Sequence, residues 1–247
     1  MAKPRPAPTD FSTHGFGADL HQFLEQYEAA YPQEVLHVEE PLCAEWEITA
    51  LAMKLEKAQR FPVLVCHNVI VDGKRAELPL VTFLMASRLR VARTFGVDVR
   101  SAGAACYERV QKRAKPVVVS HDQAPVKQAV EKGASIDVRR FPAPRHHRMD
   151  PGRYVTEGHF LTFNRNKGLD NSALQRGWLA GKDEIRVFLG PSTHNAHNLR
   201  QYEETGEDMP AAYWIGHHPL VLLGAAGHVG PDESHYETAA GTLGSPL

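Results

Sequence analysis

Asn171 and Arg176 stand five residues apart, His194 and His197 three apart, and Glu233 and Glu237 four apart. These are residue types that hold ions. Asparagine offers a neutral oxygen to a hard cation, and arginine offers a planar fork to a carboxylate or phosphate. Along NSALQR, strand alternation would put Ala173 and Gln175 on one face and Leu174 and Arg176 on the other. His194 and His197 share one face of an expected helix start, so both could reach one metal. The other reading is a helix start whose histidines meet water. The spacing is not H-E-x-x-H, which argues against zinc-protease chemistry. Either Glu233 or Glu237 could complete an Asn/His/Glu set, which suits Mn2+ or Mg2+ better than a thiolate-seeking metal. Taken singly, each group is also what a surface residue looks like.

The 14 histidines matter chiefly where they cluster, at His146-His147, His194 with His197, and His217-His218. The first pair ends PAPRHH at 142–147. Its two prolines fix the backbone. The segment reads either as an ordered loop near an anionic group or as a rigid crossover with local hydrogen bonds.

The elements that must position these residues change character along the chain. Leu20, Phe23, Leu24 and Tyr27 fall at i, i+3, i+4 and i+7, which predicts an amphipathic helix over 19–30. A strand is expected at 34–38, a helix at 45–59, and a buried strand at 62–71 closed by Asp72-Gly73. A strand at 78–84 leads to a helix capped by Ser87 and ended at Gly96. A helix over 99–113 and a short strand at 117–120 follow. From Tyr154 the pattern is strand-like, at 154–164, 172–180 and 184–190, with a helix at 193–205 and a strand at 211–216. The segment around Glu233 reads as a loop. The expected class is α/β (α+β). It comprises a disordered tail at 1–17, an α/β region at 18–115, and a mostly antiparallel sheet or barrel at 116–247 that is incomplete at its end.

Bulk properties narrow the function. At 247 residues with 43% hydrophobic and 23% charged content, the chain can bury ample core. A net charge of -1 gives no general attraction to nucleic acid or anionic membrane. No apolar run approaches the roughly 18 residues of a membrane span. Cys43, Cys66 and Cys106 are widely spaced, as for buried thiols in a reducing cytoplasm.

Three segments together resemble the UbiD-type reversible decarboxylases, which use prenylated FMN. PLVTFLMASRLRVARTFG at 79–96 is similar to that family's strand and SRxRVAxxxG helix. PVKQAVEKGASIDVRRFPAPRHH at 125–147 is similar to its QEVV…G…DL…LPIPRHH segment. MPAAYWIGHHPLVLLGAA at 209–226 is similar to its MPVAVAIGHDPALLLAAA. The resemblance runs over 20–247 and identifies the barrel-like part as an FMN-binding split β-barrel.

The resemblance implies roles. Asn171 and His194 match the family's Asn and His ligands to Mn2+, which holds the cofactor phosphate. Glu233 matches the third ligand because ESHY parallels a Glu-x-x-Tyr, with Glu237 as its rival. K+ is a further implied ion. Ala173, Leu174 and Gln175 match the backbone along the flavin, and Thr193 precedes the metal histidine. Arg176 matches the arginine that orients the reacting carboxylate. His197 has no matched role. Implied partners are an aromatic, heteroaromatic or α,β-unsaturated acid as substrate, a flavin prenyltransferase as cofactor supplier, and further copies in a homo-oligomer at full length. The family's acidic pair, in a segment like E-G-P-x-G-E, has no counterpart in the sequence. Such acids contribute about 10²–10⁴-fold, so this chain alone is expected to be inactive or very weak. Competing readings are a non-catalytic cofactor-binding subunit or half of a split enzyme, an FMN-dependent oxidoreductase, and, last, a histidine-metal hydrolase.

Overall fold

A computed structural model describes Phe16 and residues 19–247. Apart from Phe16, the expected tail at 1–17 lies outside the described residues. Phe16 itself is buried, with its ring 5.6 Å from Phe23 and 5.2 Å from Tyr27.

The first part runs α1 (Leu20–Ala30), β1 (Val35–Val38), β2 (Leu42–Cys43), α2 (Glu47–Lys57), β3 (Val63–Cys66), β4 (Val69–Val71), β5 (Lys74–Arg75), β6 (Leu80–Thr82), α3 (Arg88–Phe95) and α4 (Ala102–Val110). Local signals fix several ends. The Asp19 carboxylate accepts the Gln22 N–H at 2.8 Å and starts α1. Ser87 Oγ accepts the Arg90 N–H at 3.3 Å, and Gly96, at φ 71°, closes α3. Asp72 and Gly73, at φ 49° and 77°, make the tight turn between β4 and β5.

The expected strand at 62–71 is two strands in two sheets. The sheet order β1-β3-β6 has β1 and β3 parallel, while β2-β4-β5 has β2 and β4 parallel. The break falls at His67 and Asn68. The His67 N–H donates to Val38 O, and Asn68 O accepts the Leu42 N–H, both at 3.0 Å. Both strands are largely buried, so apolar residues stand on either side of the polar pair His67-Asn68, and the pair alone does not show the change of partner. Val117 to Val119, expected as a strand, pair with no strand among the described residues and are 50–95% exposed. Their β propensity has no neighbouring edge to act on.

The second part runs β7 (Tyr154–Val155), β8 (His159–Phe163), β9 (Asp170–Leu174), β10 (Gly177–Leu179), β11 (Ile185–Val187), α5 (His194–Glu203), β12 (Ala211–Trp214), α6 (Pro219–Ala225) and α7 (His235–Leu243). Its sheets, β12-β8-β9 and β11-β10-β7, are antiparallel, and they do not close into a barrel among the described residues. PAPRHH is stitched to the first part. Arg145 N–H donates to Ala44 O at 2.9 Å, Trp46 N–H to Arg145 O at 3.0 Å, and His146 Nδ1 lies 2.9 Å from Thr49 Oγ1.

The sequence reading missed α7. Ser234-x-x-Glu237 is a capping signal, and Ser234 Oγ accepts the Glu237 N–H at 3.0 Å. The helix that follows is mostly small residues, so it lacks a strong apolar period. Small size lets it pack closely: a Cβ on Gly224 of α6 would lie 2.6 Å from Ala239 Cα of α7. Leu220, Val221, Ala225, Ala239 and Leu243 form the core there with Phe95.

Candidate functional site

A buried amide network locks α5 against β8 and β9. Thr162 and Asn171 face each other across the ladder. Thr162 Oγ1 donates to Asn195 Oδ1 at 2.8 Å, Asn171 Nδ2 donates to the same oxygen, and Asn198 Nδ2 donates to Thr162 Oγ1 at 2.9 Å. All four side chains are buried. An unpaired group of this kind costs about 1–3 kcal/mol, so the network fixes the register of the helix start on the strand. It occupies the amide nitrogen of Asn171 and leaves Oδ1 without a hydrogen bond among the described residues.

A cleft of about 330 Å³ runs beside this edge. Asn171 from β9, His194 from the first position of α5, and Glu233 from the loop before α7 all line it. Glu237 is not among its lining residues. His197, given no role by sequence, lines it too and lies 3.0 Å from Gln201 Nε2. Glu233 Oε2 accepts the Gly230 N–H at 2.6 Å, and Oε1 accepts from Arg113 at 3.0 Å. These contacts, the Gly230 amide first, hold its carboxyl below the usual range. Asp170 anchors the start of α7, accepting from Ser234 Oγ at 2.5 Å and from the Tyr236 N–H at 2.9 Å. That ties the Glu233 loop to β9.

Thr193 caps α5. Its Oγ1 accepts the Ala196 N–H at 3.2 Å and donates to Gly190 O at 2.7 Å. A capped helix start carries partial positive charge. Among the described residues no three His, Cys, Asp or Glu side chains gather to hold a metal. A cation in this cleft would therefore depend on the Asn171 oxygen as well as on His194 and Glu233.

Ala173, Leu174, Gln175 and Arg176 do not line the cleft. They continue along β9 and past its end. At about 3.4 Å per residue of strand, Arg176 lies at most roughly 17 Å along the chain from Asn171. It is exposed and makes no ion pair among the described residues. Beyond β9 the pairing shifts. His159 faces Leu174, and the Gln175 N–H donates to Gly158 O at 2.9 Å. Farther on, Val155 faces Gly177. Thr156 and Glu157 therefore both stand opposite Arg176, a one-residue β-bulge.

Two features escaped sequence reasoning. Glu157 is half-buried with no ion pair among the described residues, and burial raises its carboxyl above the usual range. Under β8, the His159 ring lies 4.8 Å from His217 and 5.5 Å from Trp214. Burial, the larger cause, and the neighbouring histidines lower His159 to about 3; burial lowers His217 to about 4. The Ser234-x-x-Glu237 signal could have placed His235 on a helix, but no local signal marks this burial.

The scaffold is a mixed α/β fold with a polar cleft where the β9 edge meets the start of α5. Residues 117–247 match UbiD, described as the 3-octaprenyl-4-hydroxybenzoate carboxy-lyase Rift-related domain, and residues 30–119 match the corresponding N-terminal domain. The chain belongs to the UbiD family. It is 29% identical over 171 residues to gallate decarboxylase of Lactiplantibacillus plantarum, covering 68% of this chain and 34% of that protein. It is 26% identical over 202 residues to pyrrole-2-carboxylic acid decarboxylase of Pseudomonas aeruginosa, covering 78% and 40%. The structure of an evolved dimeric form of the UbiD-class enzyme HmfF from Pelotomaculum thermopropionicum, in complex with prFMN, is similar at TM-score 0.83. It shares 25% identity and covers 94% of this chain and 52% of that one. The chain thus spans about a third to a half of the length of these relatives.

Proposed function

We propose that this chain forms the phosphate- and metal-holding half of a decarboxylase site. Asn171, His194 and Glu233 would hold Mn2+ or Mg2+, with K+ as a further ion, and through the metal the phosphate of prenylated FMN. The residues fit that group. One neutral oxygen, one imidazole and one carboxylate form an oxygen–nitrogen set suited to such cations. The Asn171 Oδ1 left free by the amide network supplies the neutral ligand. Prenylated FMN, when bound, supplies the electron sink as CO2 leaves.

The protein's own residues bind and orient. The backbone of Ala173, Leu174 and Gln175 borders the flavin, Thr193 holds the start of α5, and Arg176 grips the carboxylate of an aromatic, heteroaromatic or α,β-unsaturated acid. A flavin prenyltransferase would supply the cofactor, and the working protein would be a homo-oligomer in the cytoplasm. No helix among the described residues is long and apolar enough to cross a membrane.

The observation that carries this reading is the meeting of Asn171, His194 and Glu233, from three separate segments, in one cleft. A second reading is a cofactor-holding chain that takes its acid from another polypeptide; in its favour, Arg176 has no ion-pair partner among the described residues. Titration of the purified chain with FMN, followed by flavin fluorescence, tests the first. Mn2+ is expected to tighten binding at least about tenfold over EDTA, a change of about 1.4 kcal/mol. Equal affinity in Mn2+ and EDTA would remove the metal from the account.

A further inference from the structure

We infer that Tyr213 is a positioning residue for Arg176, acting through the bulge; this rests on Arg176 serving as the carboxylate-binding group. The Tyr213 hydroxyl donates to Gln175 O at 2.7 Å and lies 3.3 Å from Val155 O. Those carbonyls belong to opposite strands, on either side of the bulge. A bulge interrupts the ladder and leaves backbone groups without their regular partners. The phenol replaces the missing partner and ties the strands together where the register shifts.

Two glycines make room for it. A Cβ on Gly158 would lie 2.1 Å from the Tyr213 hydroxyl, and one on Gly177 would lie 2.7 Å from it. Tyr213 is itself fixed in β12, opposite Phe160 of β8. Its hydroxyl, pushed up to about 12 by burial, keeps its proton at any working pH. Holding Gln175 O sets the peptide plane that leads into Arg176, and so the direction in which the guanidinium leaves the strand. In the family segment quoted above, valine stands at this position, so the family pattern does not supply the clamp.

Tyr213→Phe removes the hydroxyl and keeps the ring, so the fold is retained. Amide hydrogen exchange is measured on wild type and variant. The Gln175 amide, which donates to Gly158 O, is expected to exchange at least about tenfold faster in the variant, as for a local opening. The amide network around Asn171 should be unchanged. In the chain loaded with FMN and Mn2+, affinity for benzoate should fall at least about tenfold, while FMN affinity stays within about twofold. Benzamide, which lacks the carboxylate, should bind both proteins alike. Unchanged exchange at Gln175, loosening spread over the whole chain, or equal loss for benzoate and benzamide would overturn the inference. Failure of the wild-type chain to bind FMN with Mn2+ would instead count against the functional reading, and the exchange result would still decide the clamp.

Discussion

Replacing His194 by alanine is expected to weaken FMN binding in Mn2+ by at least about 100-fold, the upper end of what even outer-shell partners of a metal cost. In EDTA the variant and the wild type should bind alike. His194 sits at the first position of α5, where Thr193 and the buried amide network hold the helix start against β9. Its loss removes the imidazole from the proposed set and leaves the scaffold intact. His197→Ala, one turn on in the same cleft, should change affinity by no more than about twofold, as an exposed substitution without a ligand role does. Glu233→Gln should follow His194→Ala, and Glu237→Gln should follow His197→Ala, because Glu233 lines the cleft and Glu237 does not. Flavin fluorescence titrations of the four variants, with and without Mn2+, give these values. A metal-linked loss in Glu237→Gln and none in Glu233→Gln would reverse the ligand assignment.

The largest effect on stability is expected from acid. Burial holds His159 down to about 3 and His217 down to about 4 in the folded chain. Unfolding returns each to about 6.5. Below about 6.5 the unfolded chain therefore binds protons that the folded chain refuses. The stability due to the neutral rings is fully present above that pH and is lost as pH falls. The slope is about 1.4 kcal/mol per pH unit for each histidine, an upper bound for partly solvated rings. His235 shifts in the same direction, chiefly through burial. Against a total of about 5–15 kcal/mol for a typical domain, a fall from pH 7 to 5 removes a large share. Urea unfolding at pH 7, 6 and 5 measures it, in a window where ordinary carboxylates do not titrate. His159→Asn with His217→Asn should flatten the slope. A wild type equally stable at pH 7 and pH 5 would mean that the cluster is solvated or charged.

What was legible in the sequence was local. Ser87, Gly96 and Asp72-Gly73 act within a few residues of themselves, and each bounds an element where expected. The run at 62–71 misled because partner choice is non-local: Val63 and Val65 lie in one sheet and Val69 and Val71 in another, and only the hydrogen bonds of His67 and Asn68 show the switch. Val117 to Val119 have strand composition and no edge to join among the described residues. In the site, Asn171, His194 and Glu233 could be named from residue type and family pattern. Their meeting in one cleft depends on Asp170 pinning α7 and on Asn195 pinning α5, neither of which a pattern reveals. Glu157, His159 and Tyr213 stayed hidden because their roles come from burial and from a one-residue register shift. Those properties exist only once β7 to β10 and β12 have paired.

The central claim is that Asn171, His194 and Glu233 hold a metal that binds the flavin phosphate. A crystal structure of the chain with FMN and Mn2+, with anomalous scattering recorded to locate manganese, tests it most directly. The expected result is one manganese peak bonded to Asn171 Oδ1, the His194 imidazole and the Glu233 carboxylate, with the FMN phosphate on its open side and the flavin lying along Ala173 to Gln175. Manganese held by other residues, or a phosphate seated away from the start of α5, would contradict the account.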